Sequence, residues 1–170
     1  MEEKSEKRGY IFDTSALISL GAIKIIDDVL KVTNIVLTYS VINELEEFAK
    51  YDDDYGKASK EVLKYKDKFI VMKSEIKESL DYIQETDNEL YNLSKKQSST
   101  LITDDIKFSR HVDGKIDTQF STFFLIMLVG SKHLSKERAL ELLEGLRNFR
   151  NWRSNIIYLT IKDQIDNLDM

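Results

Sequence analysis

Apolar residues fall along this chain in short bursts of three or four, separated by longer stretches with helical spacing. Tyr10-Ile11-Phe12, after Gly9, is the first burst. Asp13-Thr14-Ser15 then opens a helical pattern through Leu17, Ile18 and Leu20, continued by Ile25, Ile26, Val29 and Leu30. A short buried strand running straight into residues that cap helices is the strand–helix junction of a parallel sheet. Ile35-Val36-Leu37 is a second strand of this kind. From Ser40, the residues Val41, Ile42, Leu45, Phe48 and Ala49 fall on one helical face. A polar, lysine-rich stretch over residues 55–66 predicts another helix, followed by a third strand over 69–72. Thr86-Asp87-Asn88-Glu89 has the form of a capping box, in which Thr86 and Glu89 satisfy each other's free amides ahead of a helix carrying Leu90 and Leu93. Thr100-Leu101-Ile102 is the fourth strand, and Asp104-Asp105 begins a helix with Ile106, Phe108 and Val112.

This alternation predicts a three-layer α/β/α fold with a central parallel sheet of four to five strands and helices on both faces. After Gly114 the pattern changes. Residues 120–129 read as a mostly buried helix, Ser135 caps another with Ala139, Leu142, Leu143, Leu146 and Phe149 on one stripe, and Ile157, Ile161, Ile165 and Leu168 mark a last amphipathic helix. The only further strand signal is a short edge near Ile116. The expectation is one domain over 1–170: a charged lead-in at residues 1–8, an α/β core over 9–115 and a helical extension over 116–170 packed upon it.

Hydrophobic residues make up 42% of the 170, so the chain is long and apolar enough to bury a core. Its longest apolar run, 123–129, is far short of the roughly 18 residues of a membrane span. The segment MEEKSEKRGY lacks the apolar centre of a secretory signal, so a cytoplasmic location away from membranes is expected. Cysteine is absent, which removes disulfides and thiolate zinc sites, and only His111 and His133 offer imidazole. Any metal must then be held mainly by oxygen, which selects Mg²⁺ or Mn²⁺. The net charge of −5 argues against a plain electrostatic binder of nucleic acid but not against an enzyme with an acidic metal pocket.

The acids are placed where such a pocket belongs. In an open parallel sheet, ligands bind outside the carboxyl ends of the strands. Asp13 follows strand one, Glu44 lies one turn into the helix after strand two, Asp104 and Asp105 follow strand four, and Asp87 opens the preceding helix. Carboxylates gathered at one sheet edge repel and raise one another's pKa unless a cation lies between them. Each also has a plainer role: Asp13 as an N-cap, Asp87 and Asp104 as acids favouring helix starts, Glu44 as a solvated member of Glu44-Leu45-Glu46-Glu47. Thr14, Ser15 and Thr103 stand ready to hydrogen-bond the carboxylates from behind.

Four segments in order, residues 10–18 (YIFDTSALI), 38–45 (TYSVINEL), Thr86-Asp87, and 101–105 (LITDD) with Phe108 just beyond, resemble the PIN-domain nucleases. That family includes the toxin ribonucleases of toxin–antitoxin pairs and endonucleases that mature ribosomal RNA. The resemblance covers residues 9–115. It implies that Asp13, Glu44 and Asp87 are metal-site acids and that the fourth is Asp104 or Asp105, with Asp105 favoured by the family spacing. The proline often found before the glutamate helix is replaced by Tyr39. The expected activity is metal-dependent endoribonuclease, with one or two Mg²⁺ or Mn²⁺ ions activating a water. Asp13 would be the central ligand, Asp87 with Asp104 or Asp105 completing the shell, and Glu44 binding metal or acting as a base through water.

Single-stranded RNA is the expected substrate, with Lys95, Lys96, Lys107 and Arg110 as backbone contacts. An antitoxin or a ribosome-assembly factor, and a second copy of the chain, are the partners the resemblance suggests. His111 and His133 read as surface or helix-end residues, Arg147, Arg150 and Arg153 around Trp152 as a solvated helix face, and Phe120, Phe123 and Phe124 as core or dimer interface. The alternative function is a catalytically silent PIN-like RNA-binding or scaffold module. A phosphoacceptor receiver fits poorly, because strand one is followed by a single Asp13 and strand three by Lys73-Ser74. An Asp-x-Asp phosphotransferase fails because Ser15 stands where its second aspartate belongs.

Overall fold

In a computed structural model, which describes residues 9–152 and 155–168, four-residue strand β1 (Gly9–Phe12) lies at the centre of a five-stranded sheet of order β3-β2-β1-β4-β5. Its partners are β2 (Asn34–Thr38) and β4 (Leu101–Ile102), with β3 (Ile70–Met72) and β5 (Thr118–Gln119) at the edges. All four pairings are parallel. Tyr10 registers with Ile35, Ile11 with both Val36 and Leu101, and Phe12 with Ile102. Ile11, Phe12, Ile35, Leu37, Leu101 and Ile102 are all buried, which explains why these strands read as continuous apolar bursts rather than alternating ones.

Parallel strands need crossovers, and helices supply them. The helices are α1 (Thr14–Ala22), α2 (Ile26–Val32), α3 (Tyr39–Phe48), α4 (Asp54–Leu63), α5 (Glu85–Gln97), α6 (Ile106–His111), α7 (Phe123–Gly130), α8 (Lys136–Arg150) and α9 (Ile156–Asp166). The result is the three-layer α/β/α fold that the alternation predicts. Among the described residues no helix is long and apolar enough to cross a membrane.

Local chemistry sets most of the helix starts. Thr38, Asp53, Asp105, Ser135 and Asn155 each accept a backbone amide of the first turn through their side chains. The capping box at Thr86 does not form: α5 begins at Glu85, and Gln84 at its N-cap makes no side-chain bond. Two asparagines of α5 face a different task. Asn88 Oδ1 accepts the amide of Leu80, and Asn92 Oδ1 accepts those of Lys77 and Glu78, tying the segment after β3 to the helix.

The expected helix over 55–66 ends at Leu63 and gives way to a 3₁₀ turn at Lys66–Lys68. The edge strand lies two residues beyond Ile116, and the buried helix starts at Phe123. Phe124 at its start stacks on Phe12, with ring centroids 5.3 Å apart, and meets Tyr10 edge-on at 5.6 Å, so the extension completes the core of the sheet. Gly21 is required by the contact between α1 and α4: a Cβ there would stand 2.5 Å from the Ala58 carbonyl oxygen.

Candidate active-site cleft

The chain runs from β1 outward to β3, then returns across β1 to β4 and β5. Between β1 and β4 the connections therefore leave in opposite directions and open a crevice at the carboxyl ends of the strands. A cleft of about 220 Å³ lies there, lined by Asp13, Thr14, Ser15, Ile18, Glu44, Phe48, Tyr55, Gln84, Asp87, Asp105 and Arg150. Four of the predicted acids thus come from four separate segments to one cavity: Asp13 after β1, Glu44 on α3, Asp87 in the first turn of α5, and Asp105 at the start of α6.

Asp13 occupies the N-cap position of α1 but does not cap it. Its Oδ2 instead accepts the Ser15 hydroxyl at 2.6 Å and the Thr103 hydroxyl at 2.7 Å. Burial pushes its pKa up, the two hydroxyls pull it down, and the Glu44 charge pushes it up again. Thr14 beside it donates to Glu44 Oε2 at 2.5 Å, so one turn of α1 orients two carboxylates. Asp87 is pushed up to about 7, first by burial and then by the charges of Asp13, Asp105 and Glu44, against a backbone bond that lowers it. Among the described residues none of these four acids is ion-paired with a basic side chain.

The two consecutive aspartates separate cleanly. Asp105 lines the cleft while its Oδ1 caps α6, accepting the amides of Lys107 at 2.8 Å and Phe108 at 3.0 Å. Asp104 turns away. Its carboxylate is fully buried, accepts the Ser121 amide at 2.8 Å and the Ser121 hydroxyl at 2.7 Å, accepts the Ser19 hydroxyl, and lies 3.8 Å from Arg150 Nη2. All three predicted supporting hydroxyls take part. Ser15 Oγ accepts the Asp104 amide at 2.9 Å while donating to Asp13, and Thr103 Oγ1 accepts the Asp105 amide at 3.1 Å.

None of the four expected backbone cations is among the residues that line the cleft. Lys95 and Lys96 lie in the last turn of α5, eight and nine residues beyond Asp87, or about 12 Å along the axis. Lys95 pairs with Glu78 at 2.6 Å and lies over the Tyr91 ring. Lys107 and Arg110 are exposed on α6 and do not line the cleft. His133 is exposed with Nδ1 3.0 Å from Ser131 Oγ, and His111 closes α6. Arg147 pairs with Glu144, and Arg153 falls outside the described residues. Arg150 is the surprise of the site, since it is half-buried and faces the cleft from the extension. Its signal is legible afterwards: Arg150 falls four residues after Leu146 and seven after Leu143, on the buried stripe of α8 rather than on its solvated face.

The donor set suits a hard divalent cation in type and charge, being carboxylate oxygen throughout. Among the described residues, however, no group of three or more acidic or histidine side chains is set closely enough to hold an ion as it stands. Ligation by the cleft therefore calls for side-chain rotation.

No family model matches the sequence, and no curated protein matches it. Among solved structures the chain is similar to the PAE2754 protein of Pyrobaculum aerophilum, at 20% identity and a TM-score of 0.49, over 72% of this chain and 96% of that one.

Proposed function

We propose that this protein is a metal-dependent endoribonuclease that hydrolyses RNA phosphodiester bonds in the cleft between β1 and β4. The observation that carries the reading is the meeting of Asp13, Glu44, Asp87 and Asp105 in one cavity at the switch point of the sheet, unpaired with any base among the described residues. Carboxylates held together without a basic partner cost stability unless a cation offsets them, and the chain retains four. A bound Mg²⁺ or Mn²⁺ would supply Lewis acidity and a water of lowered pKa.

The chain's own residues do the rest. Asp13, fixed by Ser15 and Thr103, is the pre-oriented ligand at the floor of the cleft. Asp87 and Asp105 bind from the starts of α5 and α6. Glu44, steadied by Thr14, accepts a proton from the attacking water or joins the ligand set. Phe48 and Tyr55 add aromatic surface to the cleft lining, which favours unstacked, single-stranded RNA.

The spacing of the acids is the one observation that favours a second reading, a catalytically silent RNA-binding or scaffold module. One experiment separates the two. The protein and its Asp13→Asn variant are incubated with end-labelled single-stranded RNA in Mn²⁺ or in EDTA, with folding followed by circular dichroism. Cleavage that needs Mn²⁺ and vanishes in Asp13→Asn is the expected result. Absence of Mn²⁺ binding in titration calorimetry would overturn the nuclease and leave the scaffold.

A further inference from the structure

Arg150 lies at the end of α8, 131 positions after Ser19, yet its guanidinium is threaded back to the start of α1. Nε donates to Ser19 Oγ at 2.8 Å and Nη2 to the same oxygen at 2.7 Å, and Nη2 also donates to the Ser15 carbonyl. The guanidinium carbon lies 5.8 Å from the centre of the Tyr55 ring and 5.7 Å from that of Phe149. Only 14% of the Arg150 side chain is exposed. The Ser19 hydroxyl donates in turn to Asp104, whose remaining hydrogen bonds come from Ser121. Arg150, Ser19, Asp104 and Ser121 therefore close a polar network that joins α1, the β4–α6 junction, the β5–α7 turn and α8.

We propose that this network is a clasp through which the C-terminal helical extension positions the metal-site acids, with Arg150 as its key positioning residue. The inference rests on reading the cleft as a metal site. The coupling runs through Ser15. Its carbonyl is held by Arg150, while its hydroxyl accepts the Asp104 amide and donates to Asp13. The preceding residue, Thr14, holds Glu44. Any loosening of the Arg150–Ser15 bond moves the hydroxyls that fix two of the four acids. The planar fork of arginine suits the task, because Nε and Nη2 reach a hydroxyl and a carbonyl in one fixed plane, which a single ammonium does not reproduce. Asp104 is thus kept out of the ligand set by its role in the clasp.

The test uses Arg150→Met and Arg150→Lys in the full chain, read by Mn²⁺ titration calorimetry, by thermal melting, and by amide hydrogen exchange over residues 14–19 in EDTA. Arg150→Met is expected to weaken Mn²⁺ binding about 10- to 100-fold, the usual effect of losing a group that orients ligands, and to speed exchange in the first turns of α1. Arg150→Lys is expected to recover the melting temperature but not the affinity, which a merely structural arginine would not produce. If Arg150→Met fails to fold, Ser19→Ala keeps the guanidinium, removes the hydroxyl that bridges it to Asp104, and should show a smaller loss in the same direction. Parental Mn²⁺ affinity in a folded Arg150→Met overturns the clasp while leaving the metal site standing. A parent that binds no Mn²⁺ overturns the metal reading of the cleft and the positioning role with it.

Discussion

Two acidic groups flank the first turns of α1, and their charges are balanced in opposite ways. On one side the Asp104 carboxylate is fully buried, takes bonds from Ser19 and Ser121, and has Arg150 at 3.8 Å. On the other, Asp13, Glu44, Asp87 and Asp105 share a cleft, have hydroxyl and amide donors, and lack a basic partner among the described residues. The first arrangement is complete as it stands and resembles a structural joint. The second leaves Asp13 and Asp87 with pKa values raised by burial and by neighbouring carboxylates. Adjacent residues in the sequence, Asp104 and Asp105, are divided between the two, because one points beneath α1 and the other caps α6. Charge balance, more than proximity to a strand end, separates the two groups.

The largest effect expected from this contrast is at Asp13. Asp13→Asn keeps the shape and the acceptor for Ser15 and Thr103 but removes the charge, so RNA cleavage and Mn²⁺ binding should both fall to background while the melting temperature holds or rises. A drop in melting temperature would place Asp13 with the structural acids instead. Asp104→Asn should act first on stability. It leaves Arg150 buried without its counter-charge, a change that costs about 3–5 kcal/mol when one member of a buried pair is removed. Chemical denaturation checks this, and a loss below about 1 kcal/mol, the scale of an exposed ion pair, would break the distinction between the two sides.

The contrast was only half legible in the sequence. Asp13, Glu44 and Asp105 announce themselves because each follows a short apolar strand, and the order of strands in a parallel sheet carries those ends to one edge. Asp87 is found at the right place for a partly wrong reason: α5 begins at Glu85 without the capping box, and the start of α5 faces the cleft whether or not Thr86 caps it. Lys95 and Lys96 sit at the end of α5 remote from Asp87, a distance that the eight- and nine-residue spacing already carries, whereas Lys107 is next to Asp105 and only its exposure keeps it from the cleft lining. The partner of Asp104 was illegible as a pair, since no local pattern links α8 to α1 across 131 positions. What the sequence does contain is an arginine on an apolar stripe, a costly placement that calls for a buried acceptor.

A smaller effect is expected from the hydroxyls between the two sides. Thr103→Val removes one of two donors to Asp13 Oδ2 and the acceptor for the Asp105 amide. Groups that orient metal ligands typically contribute 10- to 100-fold in affinity. Calorimetry on Thr103→Val should therefore show Mn²⁺ binding weakened by about that factor with the ion still bound. Unchanged affinity would mean that Ser15 alone orients Asp13.

The last effect, and the most direct reading of the uncompensated side, is the pH dependence of the metal-free protein. Asp87 rises from the ordinary carboxylate value of 3.8 to about 7, chiefly through burial and then through Asp13, Asp105 and Glu44. The folded state therefore holds a proton at pH 5 to 6 that the unfolded chain has released. Stability must then fall as pH climbs from about 4 to about 7 and level off above, because in that window the native state binds more protons than the unfolded one. Asp13, raised in the same direction, adds to the slope. Asp87→Asn cannot ionise and should flatten the profile, leaving only the share of Asp13, while Mn²⁺ should flatten it in the parent by displacing the proton. Melting temperatures in EDTA between pH 4 and 8 decide the matter: a variant profile parallel to that of the parent would mean that Asp87 is not raised in the folded protein.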